Sequence, residues 1–316
     1  MGAPRSYKRA MQQHIVYVVH GPLKYYDQAR LSILTALNLM LEAQRDDLRI
    51  CVYAEQPERL PVHPLIQIHA LDSAQLAAWR GPLDYVHRIK LEVLRLAARQ
   101  LDAPFLYVDS DTRWRALPDA AFAALAAPAG DAMVMHVDEG PLSASFFPSY
   151  LKFLQRHQGQ LLETWRVPPG PWHMWNAGAI GLAPQHAAAF LDDALRLCDW
   201  LLPRLRPRNY IEQIVLSLLG AQRLRMHALG DALHHYWPHS LQAPHYLREV
   251  FAALPAGLSV PQEAEHLGRL HWDEQRLNAL RQDPALRRQQ LLSKYRASWY
   301  KRRIDLRALL LLRWRS

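Results

Sequence analysis

Asp109-Ser110-Asp111 closes the apolar run Pro104-Phe105-Leu106-Tyr107-Val108, and no other stretch of the chain offers as much chemistry. Alternate side chains of a strand share a face, so two acids spaced by one residue point the same way. They repel one another unless a cation sits between them. A hard divalent ion with oxygen ligands, Mg²⁺ or Mn²⁺, is the natural occupant, and such ions commonly carry substrate phosphates. The carboxyl end of a strand is also where open α/β sheets bind ligands. An Asx turn accounts for the same residues without any ligand. Companions elsewhere in the chain must decide.

Three segments supply candidates. In Trp172-His173-Met174-Trp175-Asn176-Ala177-Gly178-Ala179-Ile180-Gly181-Leu182, a polar step stands between two tryptophans and an apolar strand. Gly178 permits close approach of the backbone to a ligand, and Asn176 offers a neutral donor and acceptor suited to sugar hydroxyls. Trp rings stack on sugar faces. A core strand with a glycine bulge fits this pattern equally well. Asn209-Tyr210-Ile211-Glu212-Gln213 opens an apolar helix, where an acid also serves as plain first-turn chemistry. In Leu233-His234-His235-Tyr236-Trp237-Pro238, either histidine can close a metal site with the two aspartates, since imidazole tolerates Mn²⁺.

These residues need a scaffold. The pattern predicts a buried strand over 14–21 and a helix over 27–44 with Leu31, Leu34, Leu37 and Leu41 on one face. Strands follow over 49–54 and 65–70. Asp84 is placed to cap a helix running to 101, with Ile89, Val93, Leu94 and Leu96 facing inward. A strand over 105–108 then delivers the aspartates. Next come an Ala-rich helix, strands over 132–137 and 177–182, and a Pro/Arg loop over 203–207. Strands alternating with helices imply an α/β fold whose mainly parallel sheet is flanked by helices. After Trp237-Pro238 the strands stop. A catalytic domain over 14–240 and a basic helical C-terminal extension over 241–316 are expected.

In this order the motifs resemble the nucleotide-sugar-dependent glycosyltransferases of the GT-A fold, most of all family 8. There an Asp-x-Asp at the sheet edge precedes Asn-Ala-Gly or Asn-Ser-Gly, then an acid-Gln pair, then a metal-binding His near a Trp. Here they are Asp109-Ser110-Asp111, Asn176-Ala177-Gly178, Glu212-Gln213 and His234-His235-Tyr236-Trp237, within residues 14–238. The resemblance implies a Rossmann-like GT-A sheet in which Asp109 and Asp111 hold Mn²⁺ or Mg²⁺ on the donor diphosphate. It implies His234 or His235 as a third ligand, and Asn176, Glu212 and Gln213 on the transferred sugar. Lys90 matches a basic position near the donor phosphates. Val19-His20-Gly21 and Ala54-Glu55 are expected to frame the base and ribose. Asp111, Asn176, Glu212 and Gln213 are thereby the candidate catalytic residues. Val19, His20, Glu55, Lys90, Asp109 and Gly178 are the candidates for holding the donor. Two departures stand out. The Gly and Lys that commonly follow the metal His are replaced by Trp237-Pro238-His239-Ser240, and the first strand lacks the acidic base-binding residue.

The implied activity moves a hexose from a nucleotide-diphosphate sugar, UDP favoured, to a hydroxyl of a glycan or lipid-linked acceptor in bacterial surface-glycan assembly. A metal bridging both phosphates neutralises the leaving group. Inversion requires a carboxylate base, for which Asp138 and Glu139 are placed. Retention, which the resemblance implies, requires none and sets Gln213 along the β-face. Two rivals remain. A haloacid-dehalogenase-type phosphatase also ends a strand in Asp-x-Asp, but wants Thr where Arg113 stands. A catalytically silent nucleotide-sugar-binding protein on the same scaffold fits every motif.

The formal net charge of +9 over 316 residues calls for an acidic partner. Between 294 and 316 the basic residues Lys294, Arg296, Lys301, Arg302, Arg303, Arg307, Arg313 and Arg315 interleave with Tyr295, Trp299, Tyr300, Trp314 and a leucine run. That is the composition of an interfacial membrane anchor, to which each cation adds about 1 kcal/mol, and equally of a solvated helix that docks its leucines on the domain and leaves its arginines in water. No zinc spacing, aromatic RNA-binding strand or helix-turn-helix pattern supports nucleic acid. With no apolar run of membrane-spanning length and no signal-peptide core, a cytoplasmic protein is expected, seated peripherally on the inner face of the membrane. Cys51 and Cys198, both in apolar contexts, fit reduced thiols.

Overall fold

The computed structural model describes residues 12–143 and 146–292, together with Tyr295, Arg302, Asp305 and Arg307. Most of the basic, aromatic C-terminal segment lies outside the described residues. In the first half, strands β1 (Gln13–Val19), β2 (Leu48–Ala54), β3 (Ile66–Ala70) and β4 (Phe105–Val108) alternate with helices α1 (Leu23–Glu42), α2 (Ser73–Trp79) and α3 (Arg88–Gln100). Then come β5 (Thr112–Trp114), α4 (Asp119–Leu125), β6 (Ala132–Met135), β7 (Asp138–Pro141), α5 (Pro148–His157) and a small hairpin of β8 (Leu161–Leu162) and β9 (Trp165–Arg166). Strands β10 (His173–Trp175) and β11 (Ala179–Leu182), helices α6 (Pro184–Leu201) and α7 (Ile211–Arg223), and strands β12 (Arg225–Ala228) and β13 (Leu233–His235) complete the sheet region. Helices α8 (Ala243–Ala252), α9 (Val260–Gly268) and α10 (Glu274–Gln282) follow.

Seven strands form one sheet in the order β12-β6-β11-β4-β1-β2-β3. All neighbours are parallel except β11, which runs antiparallel between β4 and β6. This is the mixed, mainly parallel sheet expected from the alternation of elements. Parallel strands are covered on both faces and therefore read as unbroken apolar runs. In β1, Ile15, Tyr17 and Val19 enter the core under α1, α4 and α8–α10, while Val16 enters the one under α3, α6 and α7. The C-terminal helices α8 and α9 pack on α1 and share its core. Among the described residues, no helix is long and apolar enough to cross a membrane.

Several boundaries differ from expectation. Helix α1 begins at Leu23, and Leu41 is 37% exposed instead of facing the core. Asp84 does not cap α3: it takes a left-handed conformation (φ 56°) in a turn, and the helix starts four residues later. Asp is one of the few side chains that tolerates that region, which is why an apparent cap turned out to be a turn. The strand expected over 177–182 starts at Ala179, because Asn176 to Gly178 form the bend that carries the site.

Candidate active site

Strand β4 is buried along its whole length and carries Asp109 to the sheet edge, where its N–H donates to the Gly178 carbonyl at 2.9 Å. The chain then turns back as β5, which pairs antiparallel with β13 and sets Thr112 opposite His235. A line of buried polar groups fastens this turn. Thr112 Oγ1 donates to the Asp109 carbonyl (2.8 Å) and lies 2.7 Å from Ser32 Oγ, itself 3.0 Å from Tyr17 Oη. Trp114 Nε1 donates to Tyr17 Oη at 2.8 Å. Each hydroxyl has one proton, and that of Thr112 is committed to a carbonyl. Ser32 must therefore donate to Thr112, and Tyr17 to Ser32. Sequence reasoning missed this line entirely.

Ligand atoms of Asp109, Asp111 and His235 lie within 4.8 Å of one another. His235 Nε2 is 3.4 Å from Asp111 Oδ1, and His235 Nδ1 is 3.1 Å from Asn176 Oδ1. The Asn176 amide has only one orientation that satisfies its partners. Gly178 N–H donates to Oδ1 at 2.9 Å, and Nδ2 donates to Glu139 at 2.8 Å. Facing an oxygen that only accepts, Nδ1 of His235 carries a proton and donates it, which leaves Nε2 as the ring nitrogen that faces Asp111. One nitrogen and two carboxylates therefore fit Mn²⁺ or Mg²⁺.

His234 does not join this group. Successive strand residues face opposite sides, and its ring packs edge-on against Trp272 with centroids 5.3 Å apart. Burial and the nearby Arg115 and Arg113 push its pKa down to about 4. Lys90 is buried and meets the Asp109 carboxylate at 2.9 Å, and also donates to the Ala177 carbonyl. Tyr107 donates to Asp109 Oδ1 at 2.8 Å. Burial works to raise the Asp109 pKa, but Lys90, His235 and the bond from Tyr107 hold it below the usual carboxylate range. Burial likewise opposes the charge on Lys90, and Asp109 and Glu212 hold its pKa above the ordinary value.

Beside the acidic cluster, Glu139 receives both amides: Asn176 on Oε1, and Gln213 Nε2 on Oε2 at 2.9 Å. Gln213 turns its oxygen to Ala177 N–H (3.4 Å). Glu212 is buried, accepts from Tyr85 Oη at 2.6 Å and lies 3.7 Å from His87. Asp138 accepts from His173 at 2.8 Å. Trp172 is buried, with its Nε1 donating to the Pro168 carbonyl, so its ring belongs to the core instead of presenting a stacking face.

The ends of β1 and β2 lie side by side, with Val19 opposite Ala54. Glu55, however, serves the chain itself. Its carboxylate accepts from Gly21 N–H (2.8 Å), in a turn whose φ of 82° suits glycine, and from Ser73 Oγ (3.2 Å). His20 has a lowered pKa through burial and the neighbouring Arg80. Arg80 and His87, both close enough to act on His20, were singled out by no sequence motif.

No family model matches the chain, and no curated protein matches it. Among solved structures, mouse xyloside xylosyltransferase 1 in its apo form aligns with a TM-score of 0.44 and 13% identity, over 69% of this chain and 84% of that one. The galactosyltransferase LgtC, in complex with donor and acceptor sugar analogues, aligns with a TM-score of 0.47 and 12% identity, over 79% of this chain and 99% of that one. The sheet and its edge are those the GT-A resemblance implies: a mixed, mainly parallel sheet ending in an Asp-x-Asp pair.

Proposed function

We propose that the chain is a metal-dependent glycosyltransferase that moves a hexose from a nucleotide-diphosphate sugar to a hydroxyl acceptor. One observation carries the reading: ligand atoms of Asp109, Asp111 and His235 stand within 4.8 Å of one another, with His235 Nε2 3.4 Å from Asp111. Asp109, Asp111 and His235 would hold Mn²⁺ or Mg²⁺, which supplies positive charge to the diphosphate as it leaves. Lys90 keeps Asp109 ionised at neutral pH and adds a buried cation beside it. Asn176 and Gln213 are the neutral groups nearest the expected sugar, and Val19 to Gly21 the wall for base and ribose. Each carboxylate considered as a base is already engaged, Asp138 by His173 and Glu139 by two amides, which supports retention. A UDP donor and a glycan or lipid-linked acceptor at the cytoplasmic membrane face belong to the same proposal.

The test is a panel of nucleotide-sugars scored by thermal shift and donor turnover, with and without Mn²⁺. Stabilisation by one donor only with the ion present, abolished by chelation and by Asp111→Asn, is the expected result. Full turnover in EDTA overturns the metal reading. Donor binding with no hydrolysis or transfer would point to the silent scaffold instead.

A further inference from the structure

Glu139 lies outside the four motifs, on the solvent-facing strand β7, yet its side chain joins two buried amides of the site. Its two oxygens take the NH₂ groups of two buried amides, one each: Asn176 at 2.8 Å and Gln213 at 2.9 Å. A carboxylate only accepts, so it dictates which end of each amide faces it. Asn176 and Gln213 must turn their oxygens inward, and both oxygens do meet backbone N–H groups of the Asn176-Ala177-Gly178 bend.

The order passes on from Asn176 to His235. Were the Asn176 amide reversed, its NH₂ would face His235 Nδ1 and Gly178 N–H together, and the ring would favour the tautomer with its proton on Nε2, pointed at Asp111. With Glu139 in place the oxygen faces Nδ1, and the neutral ring then keeps its lone pair on Nε2. Outer partners of this kind fix the orientation and tautomer of metal-binding histidines.

We propose that Glu139 is a positioning residue: through Asn176 it selects the His235 tautomer able to bind a divalent cation, and through Gln213 it fixes the adjoining sugar-side amide. It is not the base of the reaction. This inference rests on the metal reading of Asp109, Asp111 and His235.

The experiment compares wild type with Glu139→Ala and Glu139→Gln, using two measurements that need no turnover. Mn²⁺ affinity is read from the free-ion EPR signal, and the His235 tautomer from long-range ¹H–¹⁵N correlations of histidine-labelled, metal-free protein at pH 8. The wild type should show the proton on Nδ1. Glu139→Ala should bind Mn²⁺ about tenfold more weakly, the lower end of such effects, because Gly178 N–H still holds the Asn176 oxygen. It should also populate the Nε2–H form. Glu139→Gln, which keeps one accepting oxygen and the side-chain shape, should fall between the two and carries the test should the Ala variant fail to fold. Unchanged Mn²⁺ affinity and an unchanged tautomer in a folded variant overturn the proposal, even with turnover lost, since that pattern belongs to a base. If the wild type itself binds no Mn²⁺, the metal reading fails, and the tautomer alone then decides whether Glu139 sets the ring.

Discussion

Gly178→Ala is the sharpest test of how the site is packed. Its backbone does not require glycine, so the effect of a methyl group comes from what that methyl meets. A Cβ there would stand 2.2 Å from His235 Nδ1, 2.5 Å from Cε1 and 2.9 Å from Asn176 Oδ1. Ordinary contact begins near 3.4 Å, so the ring must retreat by about 1 Å. It cannot do so freely, because β13 is paired to β5 and Nδ1 is bonded to Asn176. Overpacking of this sort costs about 1–3 kcal/mol of stability. A misplacement of about 1 Å in a reactive constellation costs on the order of 100-fold in rate. The variant should therefore melt only somewhat earlier while Mn²⁺ affinity and donor turnover fall far more steeply. A double-mutant cycle isolates the cause: with the ring removed in His235→Ala, adding Gly178→Ala should change Mn²⁺ binding little further. Wild-type Mn²⁺ affinity and turnover in folded Gly178→Ala would refute the reasoning.

Thr112→Val removes one hydroxyl from a buried line and leaves Ser32 without its acceptor, so it should cost about 1–3 kcal/mol in urea melts and loosen Mn²⁺ binding as well. His14 tests the pH response of the fold away from the site. Burial and Arg49 push its pKa from 6.5 to about 4, so between those values the unfolded chain holds a proton that the folded chain refuses. Its contribution is complete above pH 6.5 and lost as pH falls toward 4, by roughly 3 kcal/mol at most. His14→Gln should flatten that part of the stability curve, and an unchanged slope would count against the assignment. Truncation after Leu292 should release the protein from anionic vesicles at low salt. If the full chain ignores such vesicles, the membrane role of the tail fails.

The parts of the site legible in sequence were those whose chemistry is written in neighbouring residues. Asp109-Ser110-Asp111, Asn176-Ala177-Gly178 and the histidine pair carry their meaning locally, and their order along the chain added the rest. The choice between His234 and His235 was also latent there, because a strand faces only one of two adjacent residues toward a given side. What stayed hidden depends on contacts between distant positions. Ser32 reads as a polar gap in an apolar helix and Tyr17 as a core aromatic, until Thr112 and Trp114 arrive beside them from about 80 and 97 residues away. Glu139 was legible only as a candidate base beside Asp138, since its partners lie in two other motifs. Trp172 misled for the opposite reason: a tryptophan beside a polar bend looks like a sugar platform, and here it fills the core.

Because His235 arrives on the ribbon of β5 and β13, the cluster has a clock built into its chain order. The aspartates are synthesised more than a hundred residues before the histidine. At roughly 5–20 residues per second, a nascent chain holds them for on the order of ten seconds with their third partner not yet made. Lys90 precedes both and can shield Asp109 throughout that interval. A ribosome-bound chain stopped short of β13 should then be able to build much of its sheet while lacking the histidine corner, so the cluster is completed only once β13 has been made.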